Sequence, residues 1–330
     1  MNLQEQILDK ILAQFPKKSE AVEVLAEVFQ VGNNAIYRRL RGETVLTPDE
    51  LSMIAKRFNI SIDAIIHKDT DKVFFSYAPA RGRVKSFEDF LGNIFENMKP
   101  LLAMPNVSIK YATSELPFFQ YCYFPEIIAF KLYTWGKNTW NFNYLRDAPF
   151  SFDLFSPLVE EMIQELLHAY LQLPSTELWN LNLLDNTLNQ IEYYLESGSI
   201  TQTTDALLLC DKLLALLAHV KRMTEQGKKF PVGAKTMEGR KSFQLFHNEM
   251  VDTNNTIIVE TPRGQAIYST FGNPNLLQTT DQRVTTYINE WFDGIMAKSQ
   301  PISNHAEKAR NKYFNRLIRK VESKKARLEE

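Results

Sequence analysis

Asn33, Asn34, Tyr37, Arg38 and Arg41 fall at i, i+1, i+4, i+5 and i+8, which on an α-helix forms one continuous polar face. Side-chain amides and guanidinium groups in that pattern suit a DNA major groove. Asn bonds bidentately to the N6/N7 edge of adenine and Arg to the O6/N7 edge of guanine, each worth about 1–3 kcal/mol of discrimination. The donors cluster near the start of the segment, the part of a reading helix that usually enters the groove. Arg38, Arg39 and Arg41 lie within four residues and concentrate positive charge in a chain whose formal net charge is only −1. Any attraction for a polyanion is therefore local, with no global field behind it. Arg39 and Glu43 also have the i, i+4 spacing of a surface ion pair worth about 0.3–0.5 kcal/mol. Lys17 and Lys18, ahead of the preceding helical stretch, can meet phosphate beside free terminal amides.

A face of this kind must be held from behind. Leu25, Val31, Ile36 and Leu40 can pin its helix to the one before, and Ala26 is the small residue that a close approach of two backbones requires. Around them the chain reads as short helices only. Leu3, Ile7, Ile11 and Leu12 mark the first, which stops before Pro16. Ser19 is positioned to cap the second, and the third runs from Asn33 to Arg41 with Gly42 just past its end. Thr47-Pro48-Asp49-Glu50 is a capping box with proline at the first helical position. That fourth helix is expected to stop at Asn59, and Ser61 to start a fifth. An autonomous all-α domain of about five short helices over residues 1–67 follows.

At these residues the chain resembles the Cro/C1-type helix-turn-helix family of bacterial and phage transcription regulators. The resemblance rests on Leu25–Ala26, Val31, the run Ile36 to Glu43, and the segment Leu51 to Asp63, which is similar to the family's fourth and fifth helices. It covers roughly residues 17–66. It implies sequence-specific binding of double-stranded DNA, as a homodimer on a pseudo-palindromic site. By that resemblance Asn33, Asn34, Tyr37, Arg38 and Arg41 would face the DNA. The chain departs from the family in the turn, where Gln30 stands in place of the usual Gly and Gly32 follows two residues later.

After a polar linker, His67 to Lys72, the periodicity changes. Residues 68–304 read as a larger α+β domain. Strands are expected at Val73 to Tyr77 and Val107 to Ala112. Long helices are expected at Phe87 to about Pro100, Leu158 to Leu171, Leu181 to Leu195 and Thr204 to Met223. Phe243 to Met250, Thr256 to Glu260 and Ala266 to Phe271 suggest an antiparallel meander joined by turns at Asp252 to Asn255 and Pro262 to Gly264. An amphipathic helix, Val284 to Met296, comes next. Residues 305–330 form a basic amphipathic C-terminal helix with nine Lys/Arg against four Glu. A solvated outer face is its expected role, ahead of a phosphate contact or a dimer helix.

Other chemistry finds little support. Gly233 to Ser242 has the wrong spacing for a phosphate loop, and no clear strand precedes it. Glu165 and His168 have the spacing of a di-iron helix, but the second pair that chemistry needs does not exist. His168 is thus expected to be a partly buried, satisfied histidine. The five histidines form no zinc pattern, and neither a nucleophile elbow nor a dinucleotide loop occurs. No metal, no cofactor and no catalytic activity are expected. Fifteen of the 39 aromatics fall within residues 111–155. They are expected to serve mainly as core, with an aromatic-lined pocket for an apolar or aromatic effector as the alternative. Two cysteines, Cys122 and Cys210, fit a reducing compartment. The N-terminal stretch has no signal-peptide core, and the greasiest run, Ala206 to Val220, is broken by charges. A cytoplasmic regulator is the expectation, its larger domain dimerising, sensing or both. The alternatives are a protein-interaction scaffold and an enzyme carrying a regulatory DNA-binding head.

Overall fold

The computed structural model describes residues 2–58, 60–67, 70–77, 84–250, 253 and 255–330. Asn59, parts of the 67–72 linker and of the 252–255 turn lie outside the described residues. The chain divides into two compact units, Met1–Phe74 and Phe75–Glu330.

The first unit contains α1 (Leu3–Leu12), α2 (Lys18–Phe29), α3 (Asn33–Leu40), α4 (Pro48–Phe58) and α5 (Ile62–Ile66). One buried residue or more from every helix builds a shared core, including Ile7, Ile11, Leu25, Ile36, Ile54 and Ile65. The ends are chemically fixed. Thr47 and Glu50 make the reciprocal bonds of a capping box, at 3.0 and 3.2 Å. Ser61 caps α5 through the Ala64 amide at 3.1 Å. Asn2 and Glu5 form a further box on α1. Ser19 does not cap α2: the helix starts at Lys18 with Lys17 as its N-cap residue, so Ser19 lies inside the first turn. Phe74 stacks on His67, with ring centroids 5.8 Å apart, within this unit.

The second unit is an eight-stranded mixed sheet with helices on both faces. Its elements are β1 (Ser76–Tyr77), α6 (Phe87–Leu102), β2 (Ser108–Thr113), α7 (Phe118–Tyr121), α8 (Pro125–Asn138), α9 (Pro157–Leu171) and β3 (Ser175–Trp179). Then follow α10 (Asp185–Glu196), α11 (Thr203–Gln226), β4 (Phe243–His247), β5 (Thr256–Thr261), β6 (Gly264–Thr270) and β7 (Leu276–Thr279). The unit ends with α12 (Gln282–Met296), β8 (Gln300–Pro301) and α13 (Glu307–Glu329). The strand order is β1-β7-β6-β5-β2-β3-β4-β8. The centre, β2-β3-β4, is parallel and the remaining pairings are antiparallel.

Period-two alternation assigns the faces. Ile109, Trp179, Phe243, Leu245 and Val259 join the large helical core, while Ala112, Leu178, Ile258 and Ile267 point to the opposite face and pack under Phe292 of α12. The expected meander holds for β5, β6 and β7. It fails for Phe243 to His247, because β4 pairs with β3 in parallel and lies three places from β5. Nor is residues 305–330 a separate region. Tyr313, Phe314, Leu317 and Val321 of α13 are buried in the second unit's core. Part of its basic face is paired, Lys320 with Asp185, Lys324 and Arg327 with Glu192, and Lys325 with Asp211, while Lys308, Lys312 and Arg319 are exposed as expected. Buried Arg310 donates to the carbonyls of Ile302 and Asn304.

Candidate nucleic-acid interface

The connection between α2 and α3 is built on Gln30. Its backbone is left-handed, with φ 55° and ψ 42°. Its amide bonds to the Glu27 carbonyl at 3.2 Å, and the Val31 amide reaches back to Ala26 at 3.0 Å. These two bonds are a Schellman closure, which normally uses glycine at the left-handed position. Gln30 thus does the turning, and Gly32, with φ −75°, is the N-cap residue of α3. Exposed Gln30 carries the strain that a Cβ brings to this region, about 1–2 kcal/mol, partly offset by the flexibility glycine would add to the unfolded chain. Gln30→Gly should raise the first unit's stability by about 0.5–1 kcal/mol, read as a shifted denaturation midpoint. An unchanged or lower midpoint would contradict this origin of the turn.

On α3, Ile36 is buried in the core, whereas Asn33, Asn34 and Arg38 are exposed. Tyr37 is half-buried and packs against the same core. The three arginines have separate fates. Arg39 donates to both oxygens of Glu50, at 2.6 and 3.3 Å, and to the Ala35 carbonyl at 3.0 Å. Its guanidinium also lies over Phe29, 5.8 Å from the ring centroid. The anticipated partner Glu43 instead takes Arg41, through bonds of 2.6 and 3.1 Å. Proximity along the chain decides this, since Glu43 follows directly after the Gly42 turn. Burial works against the Glu50 carboxylate, yet bonds from Arg39 and Thr47 hold it below the usual range. The Arg41 bond likewise holds Glu43 low. Among the described residues no hydrogen bond or ion pair engages the Arg38 side chain, although its carbonyl accepts from the Glu43 amide at 2.9 Å.

Gln4 was not legible as a site residue. Its amide nitrogen donates to the carbonyls of Arg39 and Thr44, at 2.8 and 2.9 Å, and its oxygen accepts from the Leu46 amide at 2.8 Å. A single side chain therefore clamps the segment after α3 to α1. Lys18 is exposed at the start of α2, where no side chain caps the first-turn amides. Residues 1–74 contain ten Lys/Arg against eleven Asp/Glu, so positive character there depends on placement.

The second unit holds two further arrangements. Phe90 and Trp140 pack at 4.7 Å, with Phe87, Phe118, Trp135 and Phe142 within 6.4 Å of one ring or the other; these aromatics are core. Beneath the sheet, fully buried Glu177 accepts from Tyr170 at 2.7 Å, Ser175 at 2.8 Å and Trp179 at 2.9 Å. Fully buried Lys229 lies 3.4 Å from the Tyr170 ring centroid and donates to the Tyr170 carbonyl. His168 is exposed on α9, contrary to expectation, because it shares the outer face of the helix with Glu165 while Leu166, Leu167 and Ala169 turn inward. Among the described residues no helix is long and apolar enough to cross a membrane. Compared with protein-family models, curated proteins and solved structures, the chain matches none.

Proposed function

We propose that the protein is a sequence-specific regulator of transcription that binds double-stranded DNA as a homodimer. Its first unit reads DNA through α3. The second dimerises, senses an apolar or aromatic effector, or does both. The observation that carries this reading is the exposed donor set Asn33, Asn34 and Arg38, the last two opposite a buried Ile36, on a short helix following a tight turn. The resemblance of residues 17–66 to Cro/C1-type regulators supports it. A lone unit of this size offers little surface for selective binding, whereas two joined units multiply their contributions.

Selection from a random duplex pool at stated salt tests the proposal. The expected result is a motif of two half-sites, one helical turn or a multiple of it apart. Arg38→Ala should weaken binding while leaving the melting temperature within a degree or two. Glu43→Gln releases Arg41 and should steepen the dependence of log K on log salt by about 0.9 per added phosphate contact. The acidic balance of residues 1–74 favours one rival, a scaffold that binds a protein partner. No enriched motif, together with no salt-sensitive duplex binding, would favour that rival and overturn the proposal.

A further inference from the structure

The polar side chains of α3 are not equivalent readers. At about 100° per residue, Asn34 and Arg38 each lie about 160° around the helix from buried Ile36, and Arg41 about 140°. Asn33 lies only about 60° from Ile36 and Tyr37 about 100°. Burial agrees with this wheel, since Tyr37 packs on the core and Asn34 and Arg38 are exposed. Ion pairing separates the arginines further. Arg39 is held by Glu50 with both side chains 13% exposed, and Arg41 is held by Glu43. Asn34 and Arg38 have no such partner among the described residues. They stand four residues apart, one above the other on the outermost line of the helix.

Resting on the DNA-binding reading above, we propose that Asn34 and Arg38 are the two base-reading residues, Asn34 for adenine and Arg38 for guanine. Asn33, Tyr37 and Arg41 contact the backbone or position the helix. The amide matches the donor–acceptor edge of adenine, and an unpaired guanidinium matches the double acceptor of guanine. Four residues rise about 6 Å along the axis, while base pairs are spaced about 3.4 Å apart. The adenine and guanine of each half-site therefore lie no more than about two base pairs apart.

The test uses the full chain and the duplex selected from the random pool. Each adenine of the half-site is replaced in turn by 7-deazaadenine, which lacks the N7 acceptor but still pairs with thymine. Guanines are replaced by 7-deazaguanine in the same way. One adenine position should lose about 5- to 100-fold in affinity, and Asn34→Ala should be insensitive to that replacement. One guanine position within two base pairs should behave likewise with Arg38→Ala. Selection with Asn33→Ala should return an unchanged motif. If the wild-type chain binds a motif yet tolerates every 7-deazaadenine, or Asn33→Ala alters the motif where Asn34→Ala does not, the assignment fails while DNA binding stands. If no duplex is bound, both fail. The base replacements leave the protein intact, so they decide the matter even where a variant folds poorly.

Discussion

A chain ended before Glu307 should show no cooperative unfolding of the second unit, while the first unit keeps its own transition. The helix removed, α13, carries Tyr313, Phe314, Leu317 and Val321, each at most 2% exposed. Burying four such side chains contributes roughly 6–12 kcal/mol, comparable with the whole stability of a typical domain. The Tyr313 hydroxyl also donates to the Asn180 carbonyl at 2.9 Å, and Lys320 to the Leu181 carbonyl at 2.8 Å. Those acceptors would lose their partners as the apolar surface opened to water. Thermal melts followed by near-ultraviolet dichroism, with limited proteolysis alongside, distinguish the two units. A truncated chain with unchanged dichroism and melting temperature would show that α13 is dispensable, against everything its burial implies.

Glu177→Ala should be the most damaging single substitution in the second unit, costing about 3–5 kcal/mol. It deletes the acceptor shared by Tyr170, Ser175 and Trp179 and leaves three buried donors unsatisfied. It also removes the carboxylate that favours the charged form of buried Lys229. Replacing both groups together, by Glu177→Gln with Lys229→Met, should act oppositely, neutral to stabilising by about 1–4 kcal/mol, because both buried charges are gone while the amide oxygen can still accept. The pH dependence has a definite sign. Burial pushes Lys229 down from 10.5 to about 7, against the pull of Glu177. From pH about 7 to 10.5 the unfolded chain holds this proton and the folded chain does not, so this group makes stability rise with pH. Below pH about 7 its burial penalty is fully present. The gain from the double replacement should therefore be largest near pH 6 and shrink toward pH 10. A gain that grew with pH, or a mild Glu177→Ala, would refute this account of the network.

Local chemistry was readable wherever it governs local structure. Thr47 with Glu50, Ser61, and Gly42 at φ 74° mark helix ends by bonds or conformations only a few residue types supply. Elements buried on all sides gave no such signal. In α8 every residue from Ile127 to Gly136 is buried, so no amphipathic period exists to find. Ser175–Trp179 hides a central strand because its inward position 177 is a glutamate, whose burial is intelligible only once its distant and local donors are known. The helix expected from Leu181 begins instead at Asp185. Pro100 does not stop α6: it removes the one bond its amide would make to the Glu96 carbonyl, and the helix continues only to Leu102. At the candidate interface the residue types were legible, but their pairing was not. Whether Glu43 or Glu50 takes Arg39 depends on how α4 packs against α3, a fact of the tertiary structure. Gln4 acts on backbone about 40 residues away, and no spacing rule reaches that far.

The position of β2 governs when this protein can be completed during synthesis. Its antiparallel neighbour β5 is about 150 residues downstream, with Ser108 opposite Glu260 and Ile109 opposite Val259. At about 5–20 residues per second, a ribosome needs roughly 8–30 s to deliver the second edge of that strand. The five N-terminal helices close over their own core well before then. A growing chain thus spends much of its birth with a finished α-helical unit leading an open sheet, and in that interval chaperones would be most needed to shield the unpaired edge of β2.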